Sequence, residues 1–187
     1  MRGIGQVRPL KGTLAGLKSV SPRLLIRILC CVAVGVVLVL VSNSDGAMSC
    51  IQTIYAHVTA WVLNLFGEGA AVLTNTVQSS RFGVNVVTAC TGIFLTGIFV
   101  VAVIAWPARL RSTLFGAGLG ILGIAVLNVV RLVSLYFIGV HLPEWLDIAH
   151  VVVWQSLMIL AAVALWIAWA GAQRARPERS EQPGGTS

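Results

Sequence analysis

Three residues of this 187-residue chain are of types that could do chemistry together: Cys90, Arg131 and His150. A thiolate is a strong nucleophile, and a helix N-terminus, a nearby Arg or a protonated His stabilises it. An imidazole titrates near neutrality and serves as general base or acid. A guanidinium stabilises developing negative charge. His57 and His141 compete with His150 for the base role. Asp147, three residues before His150, is placed to cap the following helix or, alternatively, to orient the ring. Asn128, Arg131 and Ser134 recur at i, i+3 and i+6, so on a helix they form one polar stripe. Each of these residues also has a structural alternative: a small buried hydrophobe for Cys90, a snorkelling cation for Arg131.

The remaining cysteines carry less. Cys30 and Cys31 lie in an apolar run and read as small hydrophobes, whereas Cys50 is free to pair with Cys90 in an oxidising compartment. No CxxC pair occurs and the three histidines are scattered, so neither zinc nor iron–sulfur spacing is met. No metal or organic cofactor is called for.

These residues must be positioned by elements built for lipid. The chain is 57% hydrophobic and only 10% charged, against about 25% charged in an average soluble domain. Apolar runs cover Leu24 to Val41, Thr91 to Trp106, Leu114 to Gly139 and Ile148 to Ala170. Met48 to Phe66 has helical period, with Ile51, Ile54, Tyr55, Val58, Trp61, Val62, Leu65 and Phe66 on one face and Ser49, Gln52, Thr53, His57 and Asn64 on the other. That amphipathic pattern predicts an interfacial or partly buried helix. Residues 67–89 are β-prone around Val72 to Val77 and Val84 to Thr88, and predict a hairpin or extended loop outside the hydrocarbon. Gly116 to Gly120 contains a GxxxG, which close helix packing explains.

The fold class expected is an all-α integral membrane protein: about four transmembrane helices, an amphipathic interfacial helix and a short extracytoplasmic β-prone loop. Residues 1–23 read as a basic cytoplasmic tail, 24–170 as the membrane-embedded domain and 171–187 as a disordered cytoplasmic tail. The net charge of +7 sits in the tails and at Arg109–Arg111. The positive-inside rule places all three basic segments in the cytoplasm, so the number of spans is even and residues 43–90 and 140–149 face outward. Cys90, Arg131 and His150 then fall on one side, with Arg131 roughly 13 Å inside the outer end of its span. This charge pattern fits lipid headgroups and not nucleic acid.

Thr88-Ala89-Cys90-Thr91-Gly92, then Asn128-Val129-Val130-Arg131, then His150 at the head of the last span resemble the exosortase/archaeosortase family. The likeness covers about residues 70–165 and is similar to the short members, exosortase H among them. The chain departs from the longer members in lacking several N-terminal spans, and Thr91 stands where many have Ser or Ala. The resemblance implies a thiol protease and transpeptidase of the bacterial inner membrane whose catalytic residues are Cys90, Arg131 and His150, facing outside the cytoplasm. Its partners would be secreted proteins with a C-terminal signal of short motif, transmembrane helix and basic end, which are cleaved and passed to an acceptor. Other readings of the residues are a thiol oxidoreductase using Cys50 and Cys90, a small transporter or channel with Arg131 as the substrate contact, and an assembly protein without chemistry.

Overall fold

The structure, a computed structural model, describes residues 21–180, with the backbone alone for 176–180. Most of the two expected tails, 1–20 and 181–187, lies outside the described residues. The chain is mostly helical, with one small sheet. Helix α1 spans Pro22–Ser42. The Ser21 hydroxyl accepts from the Leu24 N–H at its start, and Asn43 Nδ2 donates to the Val39 carbonyl at its end. Ser44 caps α2, Asp45–Leu65. Strands β1 (Ala71–Leu73), β2 (Thr76–Gln78) and β3 (Gly83–Asn85) follow, then a 3-10 turn at Thr88–Cys90. Helices α3 (Ile93–Ala105) and α4 (Leu110–His141) come next. After a short turn at Pro143–Trp145, one helical turn (Leu146–Ile148) and a π-helical stretch (Ala149–Val153) lead into α5, Trp154–Ser180.

Three helical segments are long and apolar enough to cross a membrane: Pro22–Ser42, Leu110–His141 and Pro143–Ala175. Helix α1 buries none of its residues and leaves Leu24, Leu29, Val36 and Leu40 about half exposed or more. Helix α3 has 13 residues, a rise of about 20 Å.

Side-chain contacts set the direction of each helix. Cys31 lies beside the Val101 carbonyl and Leu38 beside Gly97, so α3 runs antiparallel to α1. The Phe99 ring fills the space over Gly120, and Trp169 that over Gly116, so α3 and α5 both run antiparallel to α4. The GxxxG glycines thus receive aromatic rings, while Gly118 between them faces open space. At one end, Arg27 Nη2 donates to the Ala108 carbonyl (3.4 Å), and the Arg174 guanidinium stacks 4.9 Å from the Trp106 ring centroid. The start of α1, the Arg109–Arg111 segment and the end of α5 therefore share one end of the bundle. The opposite end carries the sheet and the Cys90 turn.

Helix α2 departs from the expected pattern in two ways. It begins at Asp45, because Ser44 supplies the cap. Its buried face is Met48, Ala56, Thr59, Ala60 and Leu63, whereas Ile54, Trp61, Leu65 and Phe66 point outward. Small residues let α2 approach α4 closely, and the large apolar ones are left for a nonaqueous surround. Helix α2 also runs parallel to α4, with Tyr55 beside the Ala125–Val129 turns and Phe66 edge-on to Phe137 at 5.7 Å. It continues away from the basic end instead of returning to it.

The β-prone loop is a three-stranded antiparallel sheet of order β1-β2-β3. Thr74, at φ 59°, makes the tight first turn. The expected disordered segment from residue 171 is helical through Ser180. Gln173 explains part of this: it accepts from the Ser112 hydroxyl and donates to the Trp169 carbonyl, tying the last turns of α5 to α4.

Candidate active site

Cys90 closes the 3-10 turn and is 2% exposed. It does not open α3. Thr91 and Gly92 intervene, because Gly92 adopts φ 66° and redirects the chain into the helix. An L side chain at this left-handed position is strained. Side chains reinforce this irregular backbone: Thr88 O and Gly92 O each accept a backbone N–H, from Thr91 and Thr96, as well as a hydroxyl, and Cys90 O accepts from a side chain. The Thr91 hydroxyl donates to Thr88 O (2.7 Å), Thr96 Oγ1 to Gly92 O (3.0 Å), and Asn128 Nδ2 to the carbonyl of Cys90 itself.

His150 sits on the π-helical stretch, where the Trp154 N–H bonds Ala149 five residues back. Single π turns frequently mark functional sites. Its Nε2 lies 3.5 Å from Cys90 Sγ, within hydrogen-bonding reach for sulfur. Either S–H donates to the ring nitrogen, or the protonated ring donates to a thiolate. Arg131, 3% exposed, donates through Nη2 to the His150 carbonyl at 3.5 Å, and its buried Nε–H has no hydrogen-bond partner among the described residues.

Three elements thus bring Cys90, His150 and Arg131 together. The rival bases lie elsewhere: His57 is exposed on the far side of α2, and His141 is exposed at the end of α4. Asp147 is inside the helical turn at Leu146–Ile148 and so is not its cap, and no hydrogen bond joins it to the ring among the described residues. Cys50 is exposed and unpaired with the buried Cys90.

The polar stripe of α4 divides its labour. Ser134 folds back onto the Arg131 carbonyl (2.8 Å). Asn128, fully buried, anchors Cys90. The Tyr55 phenol of α2 is pushed up by burial, an effect that the Asn128 amide partly offsets, yet among the described residues no bond of good geometry reaches Asn128 Oδ1.

Two cavities flank the triad. One, about 150 Å³, is lined by Phe82, Gly83, Val84, Asn85, Cys90, Leu135, Leu146 and His150. The other, about 190 Å³, opens between α3 and α5 and touches Thr88, Phe94, Arg131, Gln155 and Met158. The sheet is held over the first cavity by a network that the sequence did not advertise. The Tyr136 hydroxyl donates to Glu68 Oε2 (2.7 Å) and contacts Ser79 Oγ (2.5 Å), while Arg81 pairs with Glu68 Oε1 (3.0 Å). Tyr136 follows Arg131 on α4, but its partners lie 57 and 68 residues away, a distance no local pattern encodes.

Comparison with protein-family models, curated proteins and solved structures returned no match.

Proposed function

We propose that this chain is an exosortase-like cysteine transpeptidase of the bacterial inner membrane, with four spans and a site on the outer side. The observation that carries the reading is the approach of the buried Cys90 Sγ to the half-buried His150 Nε2 at 3.5 Å, with Arg131 hydrogen-bonded to the backbone of that same His. A nucleophile within hydrogen-bond reach of a base is the arrangement covalent catalysis uses. The four spans are α1, α3, α4 and α5, and the gathering of Arg27, Arg109, Arg111 and Arg174 at one end supports a cytoplasmic face there.

In this reading His150 takes the Cys90 proton, and the thiolate attacks the scissile carbonyl carbon. The Arg131 guanidinium stabilises the developing oxyanion or positions the substrate backbone. The C–N bond then breaks, the imidazolium returns its proton to the leaving amine, and a thioester on Cys90 remains. An acceptor nucleophile attacks the thioester, releasing the thiolate. The substrate is a secreted protein held by a C-terminal membrane helix with a basic end. The apolar cavity between α3 and α5, open beside Arg131, suits the approach of that helix.

The test is co-expression with C-terminally anchored secreted proteins of the same host, followed by immunoblot of substrate size. Wild type is expected to shorten a substrate. At matched expression, Cys90→Ala should abolish shortening, and His150→Ala and Arg131→Ala should slow it at least ~100-fold. Full processing by Cys90→Ala would sink the reading.

A further inference from the structure

Strand β3 is an edge of the sheet and a wall of the cavity that holds Cys90 and His150. The ladder tells which of its backbone groups are free. Val86 N–H bonds Asn75 O, and Ser79 N–H bonds Phe82 O, so within this register the hydrogen-bonded pairs fall two residues apart. Val84 is therefore the β3 residue that exchanges both bonds with Val77. The N–H and C=O groups of Gly83 and Asn85 point the other way, off the sheet. Both residues are exposed, and both line the cavity with Cys90. Such an unpaired edge is a template for another extended chain.

We propose that the substrate polypeptide binds as a fourth, extended strand on β3, hydrogen-bonding to the backbone of Gly83 and Asn85 and presenting its scissile carbonyl to Cys90. This deepens the transpeptidase reading and rests on it. The occupant is a peptide in β conformation because the free groups alternate N–H and C=O at strand spacing, which a helix cannot answer. Gly83 has no side chain to hold the incoming backbone off. Alternate side chains of the bound strand turn toward the cavity, whose walls Phe82, Val84, Leu135 and Leu146 select an apolar residue there. Recognition through the main chain fixes the position of the scissile bond while leaving outward-facing substrate side chains free to vary.

Proline at position 85 tests this with little damage to the sheet. It deletes an N–H that β2 does not use, and a proline is tolerated where an edge N–H faces outward. Its effect on the preceding residue favours extended backbone, which Val84 already has. Purified protein in detergent is given a synthetic peptide spanning the cleavage site of a processed substrate. Asn85→Ala, which keeps the N–H, is the comparison for the side chain. Asn85→Pro is expected to raise KM on the order of 10-fold over Asn85→Ala, the effect of one lost hydrogen bond whose partner stays unpaired, with little change in kcat. Alkylation of Cys90 by N-ethylmaleimide should keep its wild-type rate if the fold is intact.

If that alkylation rate shifts, the substrate side decides. Peptides N-methylated one position at a time should lose cleavage at alternating positions, where the N–H meets β3, and keep it between them. Equal KM for the two Asn85 variants, or an N-methyl scan without period two, overturns strand pairing and leaves the cysteine mechanism standing. Absence of Cys90-dependent cleavage by wild type overturns the parent reading, and strand pairing with it.

Discussion

Replacing Asn128 with Leu should free Cys90 without unfolding the protein. Two terms oppose each other in the global stability. The buried Cys90 carbonyl loses its donor, which costs about 1–3 kcal/mol. The same substitution removes the Asn128 Oδ1, buried with no partner, and thereby recovers a desolvation cost of similar size. The net change should stay within about 1 kcal/mol, or roughly 2–4 °C in Tm for a chain of this length. The local effect has no such offset. Cys90 is 2% exposed, so a maleimide reaches it faster when the Thr88–Cys90 turn opens. Losing the anchor of that turn lowers its opening free energy by about 1.4 kcal/mol, which is tenfold in the alkylation rate. Thermal unfolding in detergent and timed N-ethylmaleimide labelling, read by mass spectrometry at Cys90, measure both. A Tm drop beyond ~6 °C with labelling unchanged would show that Asn128 is packing for the bundle and not an anchor for Cys90.

Other substitutions probe the supports around the site. Gly92→Ala places a Cβ in ordinary contact with Asn128 and Ile124 at 3.7 Å, so its cost is the left-handed backbone alone, about 1–2 kcal/mol and roughly 3–6 °C in Tm. Gly92→Asn should lose less than Gly92→Ala by the same assay. Tyr136→Phe removes the hydroxyl that donates to the nearly buried Glu68 carboxylate, a bond of about 1.5–3 kcal/mol. Tryptic cleavage after the exposed Arg81 should then accelerate at least ~10-fold, and an unchanged rate would mean the sheet is held by other contacts. Gly120→Ala collides with the buried Phe99 ring and should cost about 1–3 kcal/mol, whereas Gly118→Ala meets open space and should be neutral or stabilising by up to ~1 kcal/mol. Thermal unfolding of the pair separates the two faces of the glycine run.

The membrane helices were legible because lipid demands long apolar runs, and periodicity found α2 although not its buried face. That face was misread for a physical reason. The rule that large apolar residues turn inward assumes water outside, and Ile54, Trp61 and Phe66 turn outward instead. The sheet was half legible, since β-branched residues marked its strands, but the turn at Thr74 carries no Gly or Asn-Gly signal. At the site, residue types pointed to Cys90, Arg131 and His150 because each is costly or reactive where it stands. What could not be read were the joins. The pairing of Asn128 with the Cys90 carbonyl spans 38 residues, and Arg131 reaches a backbone carbonyl, a partner present at every position and marked by none. The π-helical stretch at His150 likewise has no compositional signature among Ala149, Val151, Val152 and Val153.

The depth of Arg131 follows from helix lengths. Helix α4 has 32 residues and rises about 48 Å, well beyond a hydrocarbon thickness of about 30 Å. If the basic end marks one boundary, Arg131 stands about 31 Å above Leu110 along the helix, at the other boundary and not at the midplane. A guanidinium there costs far less than one in the centre of the bilayer. Helix α3, at about 20 Å, stops short of that boundary, so the irregular Thr88–Gly92 backbone must make up the difference at a depth where water is scarce. Non-helical backbone survives at such depth only when protein groups satisfy it. Here the Thr91 and Thr96 N–H groups and hydroxyls serve Thr88 O and Gly92 O, and Asn128 serves Cys90 O. The same shortening of α3 that creates this demand sets Cys90 level with Arg131 and His150.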